Sequence, residues 1–562
     1  MHDRLRRVWT LARSWAWVDH VSPLIALLGV AGFWLGSVWL LWLSLGVLLI
    51  LVVWGQAGTL RWSGRFIGMR LVLLGGILPL ALISSQPVLG LITATLAVAV
   101  IVVERLARDP LLRIGSVRFG GMRGIVPLTI PTLASRALFV VNTISLLVVW
   151  FGWWRGFAEV ALAAAAVGVL ADALFVAHIG RLRRRRNELI ERAFEYVRGY
   201  RPEFLLHWDG PANATYQVAM WIPYLQRLKV PFAVVIRNQR AVDEVSQMGD
   251  FPVIHCSGEA DIDRILVDSI STVFYVNTAL KNAHMIRFTH LMHVQLNHGD
   301  SDKPGSVSKA FRMFDYNFVA GQAAIDRFRE SGMTFDPDQM RIVGRPQVEE
   351  ITRSSADAAD LSVLYAPTWG GYFADSDLSS LPIGREIVQD LLSRGCRVIF
   401  RPHPLTDRHA AHLLQKEEIE SLLAADAART GREHVFGADV MAGLTTIDCM
   451  NMSDAMVADV SSIITDYLFS EKPVAVVSMD GNEAAIVKDA PITRYTYVLA
   501  RDTDSRRVTI EQMLGEDPMR SRRLEGRVHC LGGFDVDGYS DVFLRAAHGV
   551  LDAARTTHFE RS

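Results

Sequence analysis

Ala455-Met456-Val457-Ala458-Asp459-Val460-Ser461-Ser462-Ile463-Ile464-Thr465-Asp466 reads as a strand, a polar loop and the start of a helix. Its first residues are uniformly apolar, as a strand covered on both faces requires. The Asp-x-Ser-Ser that follows puts carboxylate and hydroxyl oxygens where the first N–H groups of a helix lack partners. Beyond it, Tyr467-Leu468-Phe469 forms an apolar face expected to pack on the sheet. A strand buried on both faces cannot stand alone, so further strand-and-helix units must flank it.

Upstream and downstream, short apolar runs alternate with longer helix-period segments, the pattern of parallel strands joined by crossover helices. The predicted strands of a first set are Phe204 to His207, Phe232 to Ile236, Val253 to His255, Val273 to Val276, His293 to Leu296 and Asn317 to Val319. A second set runs Ser362 to Ala366, Arg397 to Phe400, Ala455 to Val457, Val474 to Val477 and Tyr497 to Leu499. Between them, Val343-Gly344-Arg345-Pro346 and the polar stretch Thr352 to Asp360 read as an interdomain linker. The expected fold is α/β, with two facing Rossmann-like domains at 187–351 and 352–562, the second ending in a carboxy-terminal helix.

In such sheets ligands bind beyond the carboxyl ends of strands, which singles out four loops. Asn297-His298-Gly299-Asp300 places an imidazole beside a glycine that lets backbone approach a ligand. Tyr365-Ala366-Pro367-Thr368-Trp369 ends the first strand of the second set, and Arg401-Pro402-His403-Pro404 ends the next with His403 in a stiff, non-helical turn. Asp459-Val460-Ser461-Ser462 offers hydroxyls and helix-start N–H groups to an anion such as a pyrophosphate. Singly, each has an ordinary explanation: a structural histidine, a rigid turn, a helix cap. Their joint placement on successive strand ends of facing halves points to a ligand cleft.

At these residues the chain resembles the CDP-glycerol:glycerophosphotransferase family of teichoic-acid primases and polymerases. The resemblance spans roughly Phe204 to Leu551. It rests on His298-Gly299, Leu364 to Trp369, Arg401 to Pro404, Ser453-Asp454 leading to Asp459-Val460-Ser461-Ser462, and Tyr467 to Pro473. It implies a GT-B-like fold in which His298 is the base for the acceptor hydroxyl. His403, Ser461, Ser462, Arg401 and Thr368 would hold the donor's phosphates, supported by Gly299, Asp300 and Asp459. The family commonly has Trp-His-Gly-Thr where this chain has Asn297-His298-Gly299-Asp300, and an Arg after Thr-Trp where Gly370 stands. It also has Asp-Tyr-Ser-Ser where Val460 replaces the tyrosine. The first two departures fall on the acceptor or alditol side, so the resemblance implies a CDP-type donor more directly than it implies glycerol.

Residues 1–186 differ in kind. From Ser22 to Trp54 no residue is charged; one helix of about 33 residues would reach roughly 50 Å at about 1.5 Å per residue, beyond a hydrocarbon core of about 30 Å. Two short spans turning near Gly36 and Ser37 are expected, followed by Leu71 to Ile83, Val88 to Val103, Leu138 to Trp154 and Val160 to Ile179. The resulting anchor has about six crossings. The segment Ile114 to Ser135, with its glycines and prolines, reads as a surface-lying loop or a re-entrant element. With the amino terminus inside, the arginines up to and including Arg13, those at 61, 65 and 70, those from Arg105 to Arg136 and the run Arg181 to Arg186 all face the cytoplasm, and the opposite loops are nearly free of them. That is the positive-inside distribution, which makes the protein a multi-pass plasma-membrane protein with a cytoplasmic catalytic region. Among residues within the spans, Asp172 and His178 stand out as ionisable.

The formal net charge of −1 argues against a bulk nucleic-acid binder. Cys256, Cys396, Cys449 and Cys530 are far apart, with no CxxC or His/Cys cluster, which suits a reducing compartment and suggests no zinc site. No cofactor or essential metal is inferred from the four loops, and the CDP-alditol counts as substrate. The expected activity is transfer of glycerol phosphate, with ribitol phosphate second, from a CDP-activated donor to a hydroxyl of a lipid-linked glycan or teichoic-acid-like polymer, releasing CMP. A GT-B nucleotide-sugar glycosyltransferase or capsule polymerase shares the cleft and differs in the nucleotide released. The reading of another class is a transporter or scaffold with a nucleotide-binding domain; against it, the spans hold almost no buried ionisable residue apart from Asp172 and His178, and transport paths usually need them.

Overall fold

The computed structural model describes residues 16–55, 67–83, 85–114, 119–122, 132–256, 258–299, 307–353, 361–370, 378–479 and 483–561. The chain forms two compact units: one of residues 1–119 and 124–195, the other of residues 120–123 and 196–562.

Among the described residues the first unit has six helices: Ala16–Trp34, Val38–Gly55, Ile67–Ile83, Pro87–Ile114, Thr132–Arg155 and Ala158–Tyr200. The uncharged run does break at Gly36, which sits at φ +68 between two helices. Three helices are long and apolar enough to cross a membrane: Pro87–Ala107, Ala137–Arg155 and Ala158–Tyr200. The apolar stretches of the other three are shorter. The last helix continues through the arginine run to Tyr200 without a break at Arg186. Most of the Ile114 to Ser135 segment lies outside the described residues.

One expectation about this unit is corrected. Asp172 is buried as read, but Arg70 and Glu104 are buried ionisable groups too. Arg70, assigned above to a cytoplasmic segment, is a buried helical residue whose Nη1 donates to Glu104 Oε2 at 2.7 Å and whose Nη2 donates to Thr143 Oγ1 at 2.8 Å. Asn142 Nδ2 then donates to both Glu104 Oε2 and Asp172 Oδ1, each at 2.9 Å. The network links four helices, because a buried charge is tolerated only when it is paired and hydrogen-bonded.

The second unit is α/β. Its strands are β1 (Phe119–Gly120), β2 (Phe204–Trp208), β3 (Phe232–Ile236), β4 (Val253–His255), β5 (Thr272–Tyr275), β6 (Met292–Gln295), β7 (Tyr316–Val319), β8 (Met340–Ile342), β9 (Ser362–Ala366), β10 (Arg397–Phe400), β11 (Ala455–Ala458), β12 (Val474–Val477) and β13 (Tyr497–Leu499). They form two sheets, ordered β1-β4-β3-β2-β5-β6-β7-β8 and β10-β9-β11-β12-β13. Pairings from β2 to β8 and throughout the second sheet are parallel. Within the parallel strands each order reverses once, between β2 and β5 in the first sheet and between β9 and β11 in the second. At such a switch point the connections leave in opposite directions and open a crevice beyond the strand ends.

Every strand predicted from sequence is present, and two were missed: β1, only two residues long, and β8. β8 is three residues long and half-buried throughout, so it lacks the continuous apolar run of its neighbours. Two further differences concern the domain boundaries. Val343 and Arg345, read as linker, are buried. The carboxy-terminal helix Asp541–Arg561, assigned by its position in the chain to the second half, returns to the first. Its Phe543, Ala547, Val550 and Leu551 join the core built around Phe204, Leu206 and Phe274, and the Phe543 ring lies 5.1 Å from Trp221.

Candidate active site

Beyond β6 the chain turns sharply at Asn297, whose φ of +59 is rare outside glycine and best tolerated by Asn. Its side chain stabilises that turn: Oδ1 accepts from the His298 N–H at 2.9 Å and Nδ2 donates to the Gly299 carbonyl at 2.9 Å. The Trp221 indole donates to the Asn297 carbonyl at 2.6 Å. The loop therefore presents His298 from a held backbone.

His298 Nδ1 lies 2.7 Å from the Val276 carbonyl at the end of β5. A carbonyl only accepts, so Nδ1 carries the proton and Nε2 keeps its lone pair. Burial, with Arg345 adding to it, holds the imidazole below its ordinary pKa, against the opposing pull of the Val276 hydrogen bond.

In the second half, Asp459 is fully buried. Its Oδ2 accepts from the backbone N–H of Thr368 at 2.6 Å and of Ser380 at 3.0 Å. The carboxylate thus clamps the loop after β9 to the loop after β11, across the switch point. Ser461 occupies the N-cap position of the helix Ser462–Tyr467, yet its hydroxyl donates to the Asp459 carbonyl at 3.1 Å and makes no cap hydrogen bond. Tyr467, Leu468 and Phe469 are fully buried, as their pattern required.

His403 has the opposite tautomer. Its Nδ1 accepts from the Leu405 N–H at 3.1 Å, so in the neutral ring Nε2 bears the proton. Its ring stacks on Trp369 with centroids 6.0 Å apart. Arg401 Nη1 donates to the carbonyls of Val440 at 2.6 Å and Leu444 at 3.0 Å, which ties the segment after β10 to the sheet.

The loops of the two halves meet at Gly299. A Cβ there would stand 3.1 Å from Ser462 Oγ, a separation few side chains tolerate, so glycine permits the approach. Nearby, Arg345 Nη2 donates to Asp466 Oδ2 at 3.0 Å, and Asp466 is raised above its usual range by burial despite that partner. Gly344 adopts φ +75 and passes so close to Tyr539 that a Cβ would be 2.8 Å from its hydroxyl. A cavity of about 30 Å³ lies among Trp221, Asn297, Gly299, Arg327 and Arg345.

The structure therefore brings Gly299, next to His298, to Ser462, and Asp459 to Thr368. Asp300 lies outside the described residues. Sequence reading missed Trp221, Arg345 and Asp466. Arg345 carried a signal, a charged residue between Gly and Pro just after an apolar pair, but it was read as linker.

Residues 273–485 match the family model described as CDP-Glycerol:Poly(glycerophosphate) glycerophosphotransferase. No curated protein matches the chain. Among solved structures, the wall teichoic acid polymerase TagF is similar at 13% identity and TM-score 0.37, over 69% of this chain and 97% of that one. A glycosyltransferase from Rickettsia africae is similar at 12% identity and TM-score 0.41, over 63% and 98%. Anabaena HepE in complex with UDP is similar at 11% and 0.37, over 62% and 100%. The two-sheet architecture rests on the strand pairings above, independently of these three.

Proposed function

We propose, from the match of residues 273–485 to the model of the CDP-glycerol:poly(glycerophosphate) glycerophosphotransferase family, that this protein transfers glycerol phosphate, or ribitol phosphate, from a CDP-activated donor to a hydroxyl of a lipid-linked glycan or teichoic-acid-like polymer. The observation that carries the chemistry is the opposed tautomers of the two histidines. His298 Nε2 can accept a proton, and His403 Nε2 can donate a hydrogen bond.

In the reaction, the acceptor hydroxyl gives its proton to His298 Nε2 as its oxygen bonds to the phosphorus nearest the alditol. The bond from that phosphorus to the bridging oxygen breaks, and CMP leaves with the electron pair. His403 Nε2–H, the Ser461 and Ser462 hydroxyls and the N–H groups behind them would face the phosphate oxygens, where charge develops. The cleft between the sheets is GT-B-like in this reading.

Purified full-length protein given CDP-glycerol or CDP-ribitol and a lipid-linked acceptor should release CMP. Release of a nucleoside diphosphate from a nucleotide-sugar, with no CMP from either CDP-alditol, would instead identify a glycosyltransferase.

Ser461 separates phosphate binding from capping. Because its hydroxyl makes no cap bond, Ser461→Ala should leave the melting temperature nearly unchanged. Loss of a hydrogen bond to a charged phosphate costs about 1.5–3 kcal/mol, so CDP-glycerol affinity should fall by roughly 10- to 150-fold. Ser462→Ala is expected to act on the same affinity. Unaltered titration curves for both variants would remove the serine pair from the phosphate site.

We further propose that the helical unit is a multi-pass anchor in the plasma membrane with the catalytic region cytoplasmic, on the strength of its apolar helices and the arginine distribution. A cysteine introduced just after Arg186 should resist impermeant reagents in intact cells and react after permeabilisation. Labelling from outside would reverse the orientation.

A further inference from the structure

We propose that Gln217 is a positioning residue for His298, its side-chain N–H donating to Nε2 and holding the imidazole neutral. The inference deepens the reading of His298 as base and rests on it for its consequence in turnover. Its structural part stands alone.

Gln217 lies in the short helix Tyr216–Ala219 in the connection after β2, and Val276 and Asn277 follow β5. The pair thus flanks the first sheet's switch point. The orientation of the Gln217 amide is determined by its neighbours. The Trp208 indole N–H, which can only donate, lies 3.0 Å from Gln217 Oε1, and Asn277 Nδ2 donates to the same oxygen at 3.0 Å. Asn277 is itself oriented, with Nδ2 donating to the Asp209 carbonyl at 2.9 Å and Oδ1 accepting from the Ala279 N–H at 3.3 Å. Trp208 is wholly buried. Gln217 Nε2 must therefore be the atom turned to His298, 3.3 Å from its Nε2.

The Val276 carbonyl leaves the Nε2 lone pair as the acceptor of that contact. Protonating Nε2 would set two N–H donors against each other, so the imidazolium is disfavoured while the neutral ring is held in place. Among the described residues the other groups facing the ring are Arg345, whose positive charge works in the same direction, and Tyr216, whose ring stands edge-on at 6.3 Å. At 3.3 Å the contact is at the long end of hydrogen bonding, so an incoming hydroxyl can displace it. Gln217 would keep the base unprotonated between turnovers without blocking it.

Gln217→Glu is the sharpest test because it preserves the fold's use of this side chain. One carboxylate oxygen can still accept from Trp208 and Asn277, while the other turns an acceptor toward Nε2. A negative charge at this distance should raise the proton affinity of His298 by about 1–2 pH units.

Diethyl pyrocarbonate acylates neutral imidazole, so the pH dependence of His298 modification in the full-length protein, read by mass spectrometry of its peptide, reports the ring directly. The midpoint should lie below about 6.5 in the parent protein, the ordinary histidine value, and about 1–2 units higher in Gln217→Glu. Gln217→Met, which removes the donor without adding charge, should move it upward by less, and serves if the glutamate variant does not fold. The acid limb of kcat/KM for CMP release should move with the modification midpoint. A midpoint that shifts while the acid limb does not would uphold the Gln217 contact and count against His298 as the base. An identical midpoint in parent and variants would overturn the inference.

Discussion

His298→Ala is expected to lower turnover by about 10²-fold or more while the CDP-alditol still binds, the usual loss when a general base is removed. The expectation rests on three features of the ring. Its tautomer is set by the Val276 carbonyl, its loop is held by Asn297 and Trp221, and burial beside Arg345 favours the neutral form. The sign of the pH dependence follows. A histidine whose proton affinity is lowered in the fold remains a competent base at pH values where a free imidazole is already protonated, so the acid limb of kcat/KM should fall below about 6.5. Turnover and binding are both required as readouts. Near-parental turnover of His298→Ala would dismiss the base role, and loss of CDP-glycerol binding in that variant would move His298 to the donor site.

Asp459→Ala should be the most destabilising single change in the cleft. The carboxylate accepts two backbone N–H bonds, from Thr368 and Ser380, and Thr368 and Ser380 are themselves buried. Removing it strands both donors away from water. At about 1.5–3 kcal/mol for each bond to a charged group, the cost is about 3–6 kcal/mol. For the unit that spans residues 196–562 that corresponds to a melting temperature lower by roughly 4 °C or more. Asp459→Asn keeps the shape and one acceptor oxygen, so its melting temperature should lie between the two. If Asp459→Ala melts within a degree or two of the parent, the clamp between the β9 and β11 loops is not what holds this part of the site.

The same aspartate shows how far the sequence could be read. Its position in Asp-x-Ser-Ser marked it as a supporting residue, and the strand before it and the apolar helix face after it are where the pattern put them. Local sequence, however, suggested that the serines cap the helix, whereas Ser461 turns its hydroxyl back to the Asp459 carbonyl. Arg401 was placed on the donor phosphates by resemblance, and the structure shows its Nη1 bonded to two backbone carbonyls. Neither choice of partner is encoded nearby, because each side chain had several acceptors within reach and only folding brought one of them closest.

By itself, the sequence determined the strands of both sheets except β1 and β8, the break at Gly36, the separation of an apolar helical unit from an α/β unit, and the loops that carry His298, His403 and Ser461-Ser462. These are properties of short segments. A strand buried on both faces needs an unbroken apolar run, and a helix needs its period and its ends, so composition and spacing within about ten residues suffice. The tertiary structure decided what depends on residues far apart in the chain. The helix Asp541–Arg561 completes the core of the first half. Arg70, Glu104, Asn142 and Asp172 share one buried network. Gln217 reaches His298 from 81 positions away, and Arg345 reaches Asp466 across 121. A buried polar group must find its partner somewhere in the folded chain, and which partner it finds is set by how the sheets and helices pack.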